Sequence, residues 1–232
     1  MKKTRASLER ALKTAGNPKR AMISRRFFKT GKGEYGEGDI FLGITVPMQR
    51  RIAKAYTHLS LSDLALLLKS PIHEYRFVAL VILILQFKKA DDRGQKKIAA
   101  FYLKYRVWVN NWDLVDTSAP YLLGAYLMDK EKDVLYRLAV SRKVWDRRIA
   151  IIATQYFIQH GSYDHTMKIA EVLLHDTHDL IHKAVGWMLR EVGKRSLETE
   201  EQFLRIHHKD MPRTMLRYAI ERFPKEKREL YL

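Results

Sequence analysis

The sequence predicts an all-α fold built from stacked pairs of helices, and three observations support this prediction. Signals for β-strands are nearly absent, whereas apolar residues recur with helical periodicity along almost the whole chain. The breaks between the periodic segments are short and coincide with glycine or proline. Similar segments recur every few tens of residues, as they do in proteins made of helical repeats.

The breaks divide the chain into about a dozen predicted helices of about 10 to 18 residues. The most apolar run, FVALVILILQF at residues 77–87, is too short to span a bilayer and predicts a buried helix. The glycine-rich stretch TGKGEYGEGD at residues 30–39 lacks the residue order of a phosphate-binding loop and predicts a solvated connection. The remaining breaks fall at Asn17-Pro18, Pro47, Pro71, Gly161 and Pro212.

Five segments align loosely as repeats, each beginning with a charged residue followed by small or apolar positions. This HEAT-like pattern predicts one domain over residues 1–232, folded as a helical-repeat solenoid. The second helix of each pair would line a concave face, where basic residues at equivalent positions form a ladder along a groove. The first residues of the five segments are Arg76, Asp116, Arg148, Lys183 and Arg217, at steps of 40, 32, 35 and 34.

The composition indicates a polyanionic partner. The 232 residues include 43 Lys plus Arg against 26 Asp plus Glu, a formal net charge of +17. Nucleic acid is the first candidate for such a partner and an anionic membrane is the second. The absence of cysteine excludes disulfides, zinc–thiolate sites, iron–sulfur clusters and thiol nucleophiles, and it favours a cytoplasmic protein.

Asp116 is the only acidic member of the ladder, and tryptophans accompany it. Trp112 precedes Asp116 by four residues and Trp187 follows Lys183 by four, so each pair would share one helix face. The predicted centre of the groove then holds two indoles, one carboxylate and Arg148. Two simpler alternatives are that Asp116 only pairs with Arg148 and that the tryptophans belong to the core.

This constellation favours a cationic ligand held within a polyanion. Indole faces and carboxylates both attract cations, and an arginine can hold a phosphate with two hydrogen bonds. A nucleotide with an N3- or N7-alkylated purine fits, because its base is positively charged. Cleavage of its glycosidic bond builds oxocarbenium character on the sugar, which a carboxylate stabilises. A cationic leaving base needs no general acid, so Asp116 alone would suffice.

Two other acidic or histidine-rich features are predicted to be structural. Asp113 lies in the first turn of a helix that Asn110 or Asn111 can cap, where a carboxylate favours the positive end of the helix dipole. The segment HDTHDLIH at residues 175–182 matches no zinc spacing, and Asp176 or Thr177 is expected to cap the helix that follows. No metal and no organic cofactor are therefore expected.

Four segments carry a family resemblance, in order and at the family's spacing. They are FLGITVP at 41–47, NNWDLVDTSAPYLLG at 110–124, VWDRRIAI at 144–151 and IHKAVGWMLREVGK at 181–194. On these residues the chain resembles the AlkD-like family of DNA alkylation-repair glycosylases, which are HEAT-like repeat proteins. The resemblance places Trp112, Asp116 and Trp187 at the active-site positions and Arg148 at a DNA-contacting position. Asn111 departs from the family, which often has an aromatic residue there.

The resemblance implies release of 3-methyladenine and 7-methylguanine from double-stranded DNA, with the damaged base left stacked. No amine nucleophile is assigned, so no lyase activity is predicted. Arg76, Lys183 and Arg217 are predicted as further phosphate contacts. The expected partner is double-stranded DNA containing alkylated bases, with no membrane partner and a monomeric protein. One alternative is a non-catalytic HEAT-like protein that binds distorted or branched DNA. Another is a protein-binding scaffold, which the charge of +17 disfavours.

Overall fold

The computed structural model describes residues 3–231, and every regular element in that range is helical. A single bridge between Ile40 and Ile72 provides the only β-type pairing in the same range. The predicted all-α helical-repeat class is confirmed. None of the helices in residues 3–231 is long and apolar enough to cross a membrane.

The α-helices follow one another along two compact units, residues 1–118 and residues 119–232. The first unit contains α1 (Arg5–Thr14), α2 (Pro18–Phe27), α3 (Val46–Lys54), α4 (Leu61–Leu68), α5 (His73–Phe87), α6 (Asp92–Tyr105) and α7 (Trp112–Ala119), whose last residue falls beyond the boundary. The second contains α8 (Ala125–Leu127), α9 (Asp133–Ala139), α10 (Val144–Ala153), α11 (Gln155–Gln159), α12 (Asp164–Val172), α13 (Asp179–Gly193), α14 (Leu197–His207), α15 (Arg213–Ala219) and α16 (Lys225–Glu229). A π-helical turn, Pro120–Gly124, precedes α8.

The core of the first unit is α5, against which α3 and α4 pack. Nearly every side chain of α5 is buried, from His73 through Ile84 and again at Phe87. After its first four residues the helix is apolar on all sides, as expected for a helix that is surrounded by others. The prediction for residues 77–87 is therefore confirmed.

The segment FLGI before α3 is fastened to the start of α5 by Glu74. The carboxylate of Glu74, itself 2% exposed, accepts hydrogen bonds from the amides of Leu42, Gly43 and Ile44 at 2.7–3.3 Å. Gly43 has a φ of 78°, and a Cβ there would overlap the Asn17 carbonyl oxygen. Only glycine meets both constraints, which explains this part of the sequence.

The second unit stacks its longer helices in chain order. α10 packs on α13, and α13 packs on α15, while α9 lies against α10 and both α12 and α14 lie against α13. The helices that carry Arg148, Lys183 and Arg217 are thus consecutive neighbours. This is the arrangement that the repeat pattern predicts for the second helices of successive pairs.

Several helices are shorter than the predicted range. One periodic segment breaks at Thr154, whose hydroxyl donates to the Ile151 carbonyl at 2.7 Å and separates α10 from α11. Apolar periodicity continues through this break, so it leaves no sequence signal. The 30–39 connection is also less solvated than predicted, because Gly36 and Asp39 are buried and Glu34 and Glu37 accept amides of their own loop.

Candidate functional site

Helix α7 presents two of the predicted site residues. Trp112 is its first residue, and Asp116 lies one turn later on the same face. Both side chains are partly exposed. The side chain of the fully buried Asn111 accepts the Trp112 amide at 2.8 Å, so the capping prediction holds for Asn111.

The Trp112 indole is packed against two phenylalanines at the end of α2. The Phe28 ring is stacked on it at 5.3 Å between centroids and an interplanar angle of 22°. The Phe27 ring meets it edge-on at 5.7 Å and is 62% exposed. These two aromatic contacts restrict the orientation of the indole.

Asp113 has a specific partner that its helix position does not reveal. Its Oδ2 lies 2.8 Å from His73 Nε2, and His73 Nδ1 lies 3.0 Å from Asp39 Oδ2. Burial opposes the charge on His73, but Asp113 and Asp39 outweigh it and raise the pKa of His73 to about 9. The ring is thus an imidazolium at neutral pH, donating to both carboxylates.

Arg76 pairs with Asp39, the carboxylate on the other side of His73. Its Nη2 lies 2.6 Å from Asp39 Oδ1, and its Nη1 donates to the Ser70 carbonyl at 3.0 Å. Arg76 is 3% exposed, and together with His73 it holds the pKa of Asp39 below its usual range despite burial. The predicted phosphate contact of Arg76 remains a prediction and would require the guanidinium to leave these partners.

In the second unit, Arg148 lies against the first turn of α13. It is 5% exposed, and its Nη1 donates to the Leu180 carbonyl at 2.5 Å. Lys183, on the next turn of α13, pairs with Asp179 at 2.7 Å. Arg217 on α15 is exposed. The three basic residues predicted for this unit thus lie on three helices that pack consecutively.

The second predicted tryptophan, Trp187, is oriented by a carboxylate on its own helix. Its indole N–H donates to Glu191 Oε1 at 3.1 Å. Burial raises the pKa of Glu191, but hydrogen bonds from Lys194 and Trp187 outweigh it and lower that pKa below its ordinary range. Glu191 therefore stays ionised and fixes one edge of the Trp187 ring.

The histidine-rich segment before α13 supplies a different helix cap from the one predicted. His178 caps α13 by accepting the Leu180 amide on Nδ1, whereas Asp176 pairs with Arg147 at 2.5 Å. Burial lowers the pKa of His178, which keeps its ring neutral and able to accept. Among residues 3–231, no group of three or more His, Asp or Glu side chains is arranged to hold a metal ion.

Three similar hydrogen bonds show that Arg76 lies one position earlier in its helix than the other ladder residues. Arg76 donates to the Ser70 carbonyl, Arg147 donates to that of Ser141, and His182 Nε2 bonds that of Asp176, in each case six residues earlier. Arg76 therefore corresponds to Arg147 and His182, one position before Arg148 and Lys183. Asp116 keeps its place in the ladder, because Asp116, Arg148, Lys183 and Arg217 are each the fifth residue of α7, α10, α13 and α15.

Trp112 and Asp116 belong to one unit, and Arg148, Lys183, Trp187 and Arg217 belong to the other. Each set has a defined arrangement within its own unit. A common site formed by both sets remains a prediction. Sequence reasoning missed Phe28 and the chain from Arg76 to Asp113. The HEYR sequence at the start of α5 is the one local sign of it, since it introduces charge into an otherwise apolar helix.

The chain is similar to a known sequence family and to solved structures. The sequence profile of a family described as "DNA alkylation repair enzyme" matches residues 8–223. No curated protein matches the chain. A solved structure described as "Predicted DNA alkylation repair enzyme from Enterococcus faecalis" is similar, with a TM-score of 0.70, 16% identity and coverage of 90% of this chain and 97% of that one.

A second similar structure is described as "The Crystal Structure of smu.31 from Streptococcus mutans UA159". It has a TM-score of 0.52 and 16% identity, and the match covers 94% of this chain and 98% of that one. At this level of identity both likenesses establish a shared fold.

Proposed function

This chain belongs to the DNA alkylation repair enzyme family, and we propose that it is a DNA glycosylase that releases positively charged alkylated purines, such as 3-methyladenine and 7-methylguanine, from duplex DNA. The observation that carries the proposal is the pairing on α7 of an aromatically packed, partly exposed Trp112 with Asp116 one turn away. An indole face and a carboxylate are the two groups that attract a cation. The net charge of +17 supports DNA as the partner.

In the proposed reaction, a water oxygen forms a bond to C1′ of the deoxyribose as the C1′–N bond breaks. The departing base keeps the bonding electron pair and leaves as a neutral molecule, so no general acid is required. Asp116 stabilises the positive charge that develops on the sugar and accepts the proton of the attacking water. Trp112 and Trp187 contact the deoxyribose and the cationic base, and no metal or organic cofactor takes part.

Arg148, Lys183 and Arg217 are proposed to hold phosphates beside the lesion. They lie on α10, α13 and α15, which are consecutive neighbours in the second unit. We further propose that the damaged base stays stacked and that the protein acts as a monomer in the cytoplasm. Lyase activity requires an amine that forms a Schiff base with the sugar, and no amine is assigned that role here. The proposed product is therefore an intact abasic site.

Base release from methylated duplex DNA tests the proposal. The comparison is between the wild type, Asp116→Asn, and Asp92→Asn, which removes the same charge from an exposed position on α6. We expect release of 7-methylguanine by the wild type and Asp92→Asn, and a loss on the order of 100-fold or more in Asp116→Asn with DNA affinity retained.

Two outcomes would contradict the proposal. Undiminished release by Asp116→Asn would remove Asp116 from the reaction. Binding of methylated DNA without release by the wild type would identify a protein that recognises DNA shape without catalysis.

A further inference from the structure

The Trp112 end of α7 is anchored by a chain of alternating charges. It runs from the Arg76 guanidinium to Asp39, from Asp39 to the His73 ring and from His73 to Asp113, with contacts of 2.6, 3.0 and 2.8 Å. Arg76, His73 and Asp39 are each 6% exposed or less. These ionic hydrogen bonds are shielded from water, so the chain fixes Asp113, the residue that follows Trp112.

The same histidine also reaches Trp112 through aromatic rings. The His73 ring stacks on Phe41 at 4.5 Å and lies 5.0 Å from Phe28. Phe28 in turn stacks on Trp112 at 5.3 Å. A cationic imidazolium is attracted to the faces of aromatic rings, so its charge stabilises this stack as well.

We infer that His73 is a positioning residue, which fixes the Trp112 indole by its ring nitrogen on Asp113 and by its contact with Phe28. This inference rests on the proposed function, in which Trp112 holds the lesion beside Asp116. His73 touches neither reacting atom in that reaction. It acts by limiting the orientations of an indole that is only partly covered.

The contacts of His73 with Asp39 and Asp113 depend on the positive charge of its ring. An imidazolium donates from both nitrogens and satisfies Asp39 and Asp113 together, whereas a neutral imidazole has one N–H and leaves one carboxylate facing a lone pair. The charged groups that face the ring are Asp113, Asp39 and Arg76, and the pKa of His73 is raised to about 9. Loss of the proton above that pH should therefore loosen Trp112.

Nuclear magnetic resonance of the unmodified, 15N-labelled protein tests this link without DNA. The ring nitrogens of His73 and the indole N–H of Trp112, assigned with Trp112→Phe, are followed from pH 6 to pH 10. We expect the Trp112 resonance to move with the same midpoint as the His73 nitrogens, near pH 9. An indole resonance that stays fixed while His73 titrates would overturn the inference.

Base release by His73→Gln tests the consequence for catalysis. The matched control is His58→Gln, the same change at an exposed histidine of the same unit. We expect a fall in the rate constant on the order of 100-fold for His73→Gln, with an unchanged Kd for DNA and no effect of His58→Gln. The wild-type rate should also fall above about pH 9, and the low rate of His73→Gln should lack that alkaline decline.

Wild-type kinetics in His73→Gln, or an alkaline decline that persists in it, would overturn the positioning role. If His73→Gln does not fold, the titration of the unmodified protein decides the question. If the unmodified protein releases no base at all, the proposed function fails, but the coupled titration still tests the anchor.

Discussion

Replacing Glu200 by glutamine should make the protein more stable at neutral and alkaline pH. Glu200 lies on α14, is 2% exposed, and packs so closely against Gly193 of α13 that a Cβ on Gly193 would overlap its Oε2. Its Oε1 is buried and has no hydrogen-bond partner in the described part of the chain. The nearby cations, Arg190 and Lys227, are already paired with other glutamates.

The magnitude follows from the shift in protonation. Burial raises the pKa of Glu200 to about 8 from its ordinary value of 4.5, although Arg190 and Lys227 partly offset this effect. The pKa of Glu200 is higher in the folded protein than in the unfolded chain. Between about pH 4.5 and about pH 8, the folded protein therefore keeps a proton on Glu200 that the unfolded chain has released. Stability is therefore full below about pH 4.5 and falls as pH rises to about 8. At about 1.4 kcal/mol per pKa unit, the total loss is on the order of 5 kcal/mol.

Urea unfolding from pH 4 to pH 9 measures this loss. The unfolding free energy of Glu200→Gln minus that of the wild type should increase by several kcal/mol as the pH rises across that range. Glu198→Gln, at an exposed position of the same helix, should follow the wild type. Parallel pH dependences for Glu200→Gln and the wild type would refute the reasoning, because they would mean that Glu200 is ionised in the folded state.

Three further predictions concern the first unit and the proposed DNA contacts. Gly43→Ala should lower the unfolding free energy by at least about 1–3 kcal/mol, since it adds backbone strain at a φ of 78° to a steric overlap, and an unchanged urea midpoint would contradict this. Asn17→Ala removes the cap of α2 at a cost of about 1 kcal/mol. Because α2 buries no residue, hydrogen exchange should quicken within α2 without a change in global Tm. Lys183→Ala and Arg217→Ala should each reduce the salt slope of DNA affinity by about 1, and exposed Lys225→Ala on the terminal helix should leave it unchanged.

The sequence predicts the helical class, the buried α5 and several helix starts, because those features depend on local periodicity and on proline or capping residues. It also selects Trp112 and Asp116, since they share a face of one short helix. The anchor behind them is not predictable in this way. Asp39 and Asp113 are 34 and 40 residues from His73, and no local pattern relates positions so far apart.

The repeat pattern gives a reason why the anchor lies where it does. Arg147 and His182 hold equivalent positions in the second unit, and each bonds the carbonyl six residues before it. The following residues are the basic Arg148 and Lys183, whose proposed role is to hold phosphate. At the corresponding place on α7 stands Asp116, and one turn before it lies Trp112, an aromatic residue whose orientation matters more than its charge.

A lysine or arginine that binds phosphate tolerates movement, because its charge acts over several ångströms and its side chain is long. An indole that must face a cationic base or sugar has no such tolerance, since its attraction depends on the ring face. The repeat that carries Trp112 therefore needs more restraint than its neighbours. The charge chain from Arg76 to Asp113 and the stack on Phe28 provide that restraint from two directions, and both converge on His73.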